Sequence, residues 1–210
     1  MTRLVLVRHG ETEWHAENRY AGVSDVALTP RGRDQARMLA AWAVLARPDA
    51  VWSSGLSRAR QTAAAPAARS APDVRVDGRL RELDFGEGEG LTRDEMHREF
   101  PDALRGFLAD PVAAHLPGGE DPARAAARFT AALHDIAAAR TGGRVLVVAH
   151  STVIRLALCA LLGIPLGDYR RRLPAPGNCA LTEIRLRDGE AALLEYNTAI
   201  ERSLTPRSRQ

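Results

Sequence analysis

Apolar residues fall in two short unbroken runs, RLVLVR at 3–8 and RVLVVA at 144–149. Each is too short for a helix, and a strand apolar at nearly every position is one buried on both faces, as in a parallel sheet. Each run is followed at once by a histidine, His9 before Gly10 and His150 before Ser151. Elsewhere the period lengthens. Thr29-Pro30 opens a helical pattern, with threonine as N-cap and proline in the first turn, that runs to about Ala46 before Pro48 stops it. Ala50 to Ser53 reads as a second strand, Ser57 to Ser70 as a helix and Val74 to Val76 as a third strand. This alternation predicts an α/β fold: a mostly parallel central sheet with helices on both faces, three layers in all.

The middle of the chain is rich in glycine, acids and proline, with short helical stretches near Thr92 to Phe100 and Asp102 to Ala109. We expect a small helical lid insert over about 87–119. A long amphipathic helix follows from about Asp121 to Arg140, with Ala126, Phe129, Leu133 and Ile136 on one face, and Gly142-Gly143 ends it. After His150, Ser151 to Leu162 is helical. Ala180 to Leu186 and Ala191 to Tyr196, joined through Asp188-Gly189, form a closing antiparallel hairpin. The length of 210 residues suits one domain, 1–200, followed by a polar tail at 201–210.

Composition narrows the chemistry. All 29 basic residues are arginine, and none is lysine. Schiff-base chemistry, pyridoxal attachment and a Walker A loop are therefore excluded. The arginines alternate with acids along the chain and form no concentrated patch with aromatic platforms, so the net charge of +3 points to no nucleic-acid partner. Cys159 and Cys179 stand far apart, outside any CxxC or zinc spacing, and read as reduced thiols. With no signal-like opening and no apolar run of about 18 residues, a cytoplasmic protein without a membrane partner is expected.

In open α/β sheets ligands bind in the crevice beyond the carboxyl ends of the strands, which makes His9 and His150 candidates to face one another. A lone histidine there could equally be a packed or capping one. Arg8 adjoins His9, and Arg58 begins the helix after the second strand in SSGLSRARQTA. Two guanidinium forks at strand ends suit a phosphoryl group, whose oxygens take parallel hydrogen bonds. Those cations would also keep His9 neutral and nucleophilic. Read on spacing alone, Arg58 could instead be an exposed ion-pair partner. Glu82 in RELDFGEGEG, flanked by Leu80, Leu83 and Phe85, is a carboxyl group that could be part-buried and act as a general acid. The glycines of that segment lie in no strand-turn-helix unit and argue for no dinucleotide. No metal-binding pattern stands out, and no cofactor is needed.

These residues carry a resemblance. LVRHGETEW, NRYAGVSDVALTPRGRDQA, SSGLSRARQTA, RELDFGEGEGLT, PGGED and VVAHS, in that order from Leu4 to His150, resemble the histidine phosphatase superfamily, the phosphoglycerate mutase-like group. The resemblance implies a phosphohistidine on His9, a phosphate pocket of Arg8, Arg58 and His150, and Glu82 as proton donor. His15 stands where the family commonly has a phosphate-contacting asparagine, and is expected to donate a hydrogen bond to the phosphate. Gly22 and Ser151 complete the expected substrate-binding set, and Glu89 is expected on the wall of the entrance. The implied reaction is hydrolysis of a small-molecule phosphomonoester without metal or other cofactor. The alternatives are a cofactor-dependent phosphoglycerate mutase and a non-catalytic phospholigand-binding module. Arg93, Arg98, Arg105 and His115 in the lid region could meet an anionic substrate, and the closing hairpin could pair in a homodimer.

Overall fold

The computed structural model describes residues 1–70 and 73–201; the tail predicted from 201 onward lies, beyond Glu201, outside the described residues. A six-stranded sheet runs in the order β3-β2-β4-β1-β5-β6. Its strands are β1 (Thr2–Arg8), β2 (Ala50–Ser53), β3 (Val74–Val76), β4 (Arg144–Ala149), β5 (Leu181–Arg187) and β6 (Glu190–Thr198). β1, β2, β3 and β4 are mutually parallel, and β5 and β6 add the antiparallel hairpin on the far side of β1. The predicted three-layer α/β/α architecture is what the chain forms.

The unbroken apolar runs sit in the middle of the sheet because both faces there are covered. Leu4 and Leu6 of β1 and Val145 and Val147 of β4 pack with α5 (Pro122–Ala139) and α6 (Ser151–Leu162) on one side. Val5, Val7, Leu146 and Val148 point the other way, toward α1 (Pro30–Ala46) and α2 (Ser57–Ser70). Alternation between two cores, rather than between core and solvent, leaves no polar position in such a strand. The α1 boundaries match their sequence signals: Thr29 Oγ1 accepts from the Gly32 amide at 3.0 Å, and the chain turns at Arg47 with φ of 47°, just before Pro48.

The segment expected as a lid carries α3 (Arg93–Glu99) and α4 (Pro101–Ala109). Its apolar residues root it in the main core: Met96, Leu104, Phe107 and Leu116 are buried with the sheet residues of the α5 and α6 side. Tyr20, Phe85 and Phe107 form an edge-to-face aromatic group beneath it. A four-residue α7 (Tyr169–Arg172) precedes the turn that enters β5.

Candidate active site

Strand register brings the two histidines together. β1 and β4 are parallel neighbours with Arg8 opposite Ala149, so the next residue on each strand emerges side by side. The His9 amide donates to the Ala149 carbonyl at 3.0 Å, and the His9 and His150 rings lie 5.2 Å apart.

His9 is buried, and its Nδ1 lies 2.7 Å from the Gly10 carbonyl, which can only accept. The proton therefore sits on Nδ1 and the lone pair on Nε2, the tautomer that a nitrogen nucleophile at Nε2 requires. Arg58 Nε donates to that lone pair at 3.2 Å. The His9 pKa is held well below the ordinary 6.5, first by burial and then by Arg58 and Arg8. The ring is neutral near pH 7 as expected, but desolvation contributes more than either cation.

Arg58 settles the choice left open by spacing. It is fully buried and donates to the carbonyls of Ser24 at 2.7 Å, Gly22 at 2.6 Å and Ala21 at 3.2 Å. A buried guanidinium whose protein partners are neutral carbonyls keeps its positive charge available to an anion. Arg8 is held similarly: one terminal nitrogen donates to the Pro176 carbonyl at 2.9 Å, the other faces His15 Nε2 at 2.8 Å, and the buried Nε has no partner among the described residues. His150 Nε2 pairs with the Ser54 hydroxyl at 2.7 Å, while its buried Nδ1 likewise lacks a protein partner. Burial, then Arg58 and His9, depress the His150 pKa well below 6.5. Arg8 Nε and His150 Nδ1 are thus two buried polar atoms that no protein group occupies among the described residues.

Glu82 enters from the loop after β3. Its Oε1 accepts from the amides of Leu83 and Val153, and its Oε2 from that of Thr152, each at 2.9 Å. The first turn of α6 presents free amides, and here they hold the Glu82 carboxyl group. The burial is deeper than expected, at 4% exposure. Oε2, with one partner where Oε1 has two, keeps a lone pair free to carry a proton.

A cavity of about 660 Å³ is lined by Arg8, His9, His15, Glu82 and Ser151 and extends past Trp14 and Tyr20 to Arg93. Arg58 and His150, both fully buried, are not among its lining residues and meet it only through His9. Gly22 is not among its lining residues: its amide donates to Glu89 Oε2 at 3.1 Å and its carbonyl accepts from Arg58. Glu89 is not on the wall either. Its carboxylate receives the amides of Gly22, Val23, Ser24 and Phe85 and the Ser24 hydroxyl, so it braces the loop whose carbonyls hold Arg58. Of the lid-region cations only Arg93 reaches the cavity; Arg98, Arg105 and His115 are exposed elsewhere. Sequence reasoning passed over Asn178, which donates to the His9 carbonyl at 2.9 Å, and Ser54 and Thr62, which brace His150 and Gly10. Asn178 sits in a turn, Ser54 in the loop directly after β2 and Thr62 inside α2, where no periodicity marks a polar residue as a site residue.

The pattern described as histidine phosphatase superfamily (branch 1) matches residues 4–199. This chain belongs to the histidine phosphatase superfamily. Among the relatives of this histidine phosphatase is phosphoserine phosphatase 1 of Hydrogenobacter thermophilus, 32% identical over 80% of each chain. Another is a probable phosphoglycerate mutase, GpmB, of Enterobacter sp., 35% identical over 88% of this chain and 85% of that one. A solved mycobacterial glucosyl-3-phosphoglycerate phosphatase superposes with a TM-score of 0.86 at 30% identity, over 94% of this chain and 99% of its own. The chain is thus a histidine phosphatase of the phosphoric monoester hydrolase class. Among the described residues no helix is long and apolar enough to cross a membrane.

Proposed function

We propose that the protein hydrolyses a small-molecule phosphomonoester in two steps through a phosphohistidine on His9. The observation that carries this reading is the His9 lone pair on Nε2, fixed by the Gly10 carbonyl and surrounded by Arg58, Arg8 and His150. In the first step Nε2 attacks phosphorus in line. Arg58 Nε shifts its hydrogen bond from the ring to a phosphoryl oxygen, and Arg8 Nε and His150 take others, a largely electrostatic task. Glu82 Oε2 gives its proton to the departing oxygen. In the second step the same carboxylate takes a proton from water, which attacks the phosphohistidine and releases phosphate. Ser151, at the cavity edge beside Glu82, joins the substrate contacts. The phosphatase names of two relatives support hydrolysis; the relative named as a probable mutase sustains phosphoglycerate isomerisation as the second reading.

Brief reaction with a labelled phosphomonoester, followed by quenching in alkali and peptide mapping, is expected to place phosphate on His9 and to leave His9→Ala unlabelled. Glu82→Gln is expected to slow esters of poor leaving groups by about 10²–10⁴ and p-nitrophenyl phosphate much less, because a good leaving group needs no proton. Equal losses on both would remove Glu82 from the acid role. Isomerisation of phosphoglycerate, primed by bisphosphoglycerate, outpacing phosphate release would give preference to the mutase.

A further inference from the structure

His15 was expected to donate to the phosphate, yet nearly every group around its ring is itself a donor. At Nε2 stand Arg8, 2.8 Å away, and the Asn178 amide nitrogen, 3.3 Å away. A guanidinium has no acceptor, and the Asn178 nitrogen is identified as such because it also serves the His9 carbonyl. At Nδ1 stand the Thr12 backbone amide at 3.0 Å and the Thr12 hydroxyl at 2.8 Å. Only the hydroxyl can accept.

An imidazolium needs acceptors on both sides, so this surrounding selects the neutral ring. A neutral ring has one lone pair, and a guanidinium N–H left facing another N–H costs more than a neutral amide in the same position. The Thr12 amide donates toward Nδ1 and Arg8 toward Nε2, and one lone pair cannot serve both. The charged donor takes it, so the lone pair is assigned to Nε2 and the proton to Nδ1, directed at Thr12 Oγ1, at the cost of the bond from the Thr12 amide. Charged and titratable groups facing the ring are Arg8 and His9 from the end of β1, Arg58 from α2, and Glu11 from the intervening loop. Burial and Arg8 lower the His15 pKa from 6.5, with Glu11 opposing them.

Arg8 is held at its two terminal nitrogens by the Pro176 carbonyl and by His15, while its Nε is left without a partner. Of the two acceptors only His15 titrates. We propose that His15 is a positioning residue: a neutral acceptor that orients Arg8 for the phosphoryl group, so that substrate capture weakens when the ring takes up a proton. This inference rests on the phosphomonoesterase reading of the site. Protonation removes the lone pair and sets a second cation against Arg8, which releases the guanidinium from its bound orientation.

The test compares wild type, His15→Gln and His15→Ala on p-nitrophenyl phosphate from pH 5 to 8. Glutamine places an oxygen acceptor near the Nε2 position and does not titrate; using one substrate throughout cancels its own ionisation in the ratios. At pH 8, His15→Ala is expected to raise KM about tenfold or more, the loss of a hydrogen bond to a charged group, and His15→Gln to recover most of that affinity. As pH falls below the His15 pKa, the KM of wild type relative to His15→Gln is expected to climb, approaching tenfold per pH unit, with kcat moving less. Parallel KM profiles for wild type and His15→Gln, or an alanine variant matching wild type at pH 8, would overturn the proposal. Nitrogen NMR of the ligand-free protein at pH 7.5 should show His15 protonated at Nδ1 alone; a proton on Nε2 would overturn it. If wild type neither releases phosphate nor labels His9, the proposed function fails. The NMR state and the pH dependence of inorganic phosphate binding in wild type and His15→Gln then still decide the role of His15.

Discussion

At the residue scale the site is a set of charges and lone pairs whose directions are set by backbone. Gly10 orients His9, the 21–24 loop orients Arg58, and the first turn of α6 orients Glu82. Gly22 shows how tight this is: a Cβ there would collide with Glu89 Oε1 and with the Leu83 carbonyl, which is backbone and cannot swing aside. Gly22→Ala is expected to destabilise the fold by about 1–3 kcal/mol. It should also lower activity, because the Gly22 carbonyl accepts one of the bonds that hold Arg58. Denaturant midpoints and phosphate release measured on the same preparation check this; full activity with an unchanged midpoint would show that the loop is not needed to hold Arg58.

At the scale of elements, α1 and α2 lie side by side on one face of the sheet, and α2 carries Arg58 and Thr62. The α1 N-cap is a small, separable contribution. Thr29→Ala should cost about 1 kcal/mol through the lost bonds from the Gly32 amide and to Glu11 Oε1, lowering the melting temperature by roughly 2–4 °C. kcat should hold, since Thr29 meets none of the reacting groups; a large fall in kcat with normal melting would tie this cap to the chemistry instead. Element boundaries were mostly legible in the sequence because caps and prolines act locally. β6 was underestimated, running from Glu190 to Thr198 instead of Ala191 to Tyr196, because an edge strand exposed on one side has a weak apolar pattern.

At the scale of the whole molecule, burying neutral histidines couples folding to pH. His9 and His150 have folded pKa values well below the 6.5 of an exposed ring. Below pH 6.5 the unfolded chain binds protons that the folded site refuses, so stability is fully present above 6.5 and declines as pH falls toward the folded values. Each fully neutral ring contributes a slope of about 1.4 kcal/mol per pH unit in that window. Urea midpoints between pH 7.5 and 5.5 should fall accordingly, with His150→Gln flattening the decline; a midpoint that rises toward pH 5.5 would contradict the burial. Inorganic phosphate should raise the midpoint by mass action on the folded state alone.

The sequence by itself determined the strands, the helix caps, the two strand-end histidines and, through its ordered motifs, the family. Those signals are local, or are spelled out in one stretch of chain. Only the tertiary structure decided which polar groups face one another. It buried Arg58 among carbonyls when spacing left an exposed ion pair open, turned Gly22, expected as a substrate contact, and Glu89, expected on the entrance wall, into a brace, and brought in Asn178, 163 residues from His15. It also set His15 among donors. Whether a side chain donates, accepts or stays neutral depends on what lies within hydrogen-bond reach, and across a parallel sheet those partners come from segments that have no common period in the sequence.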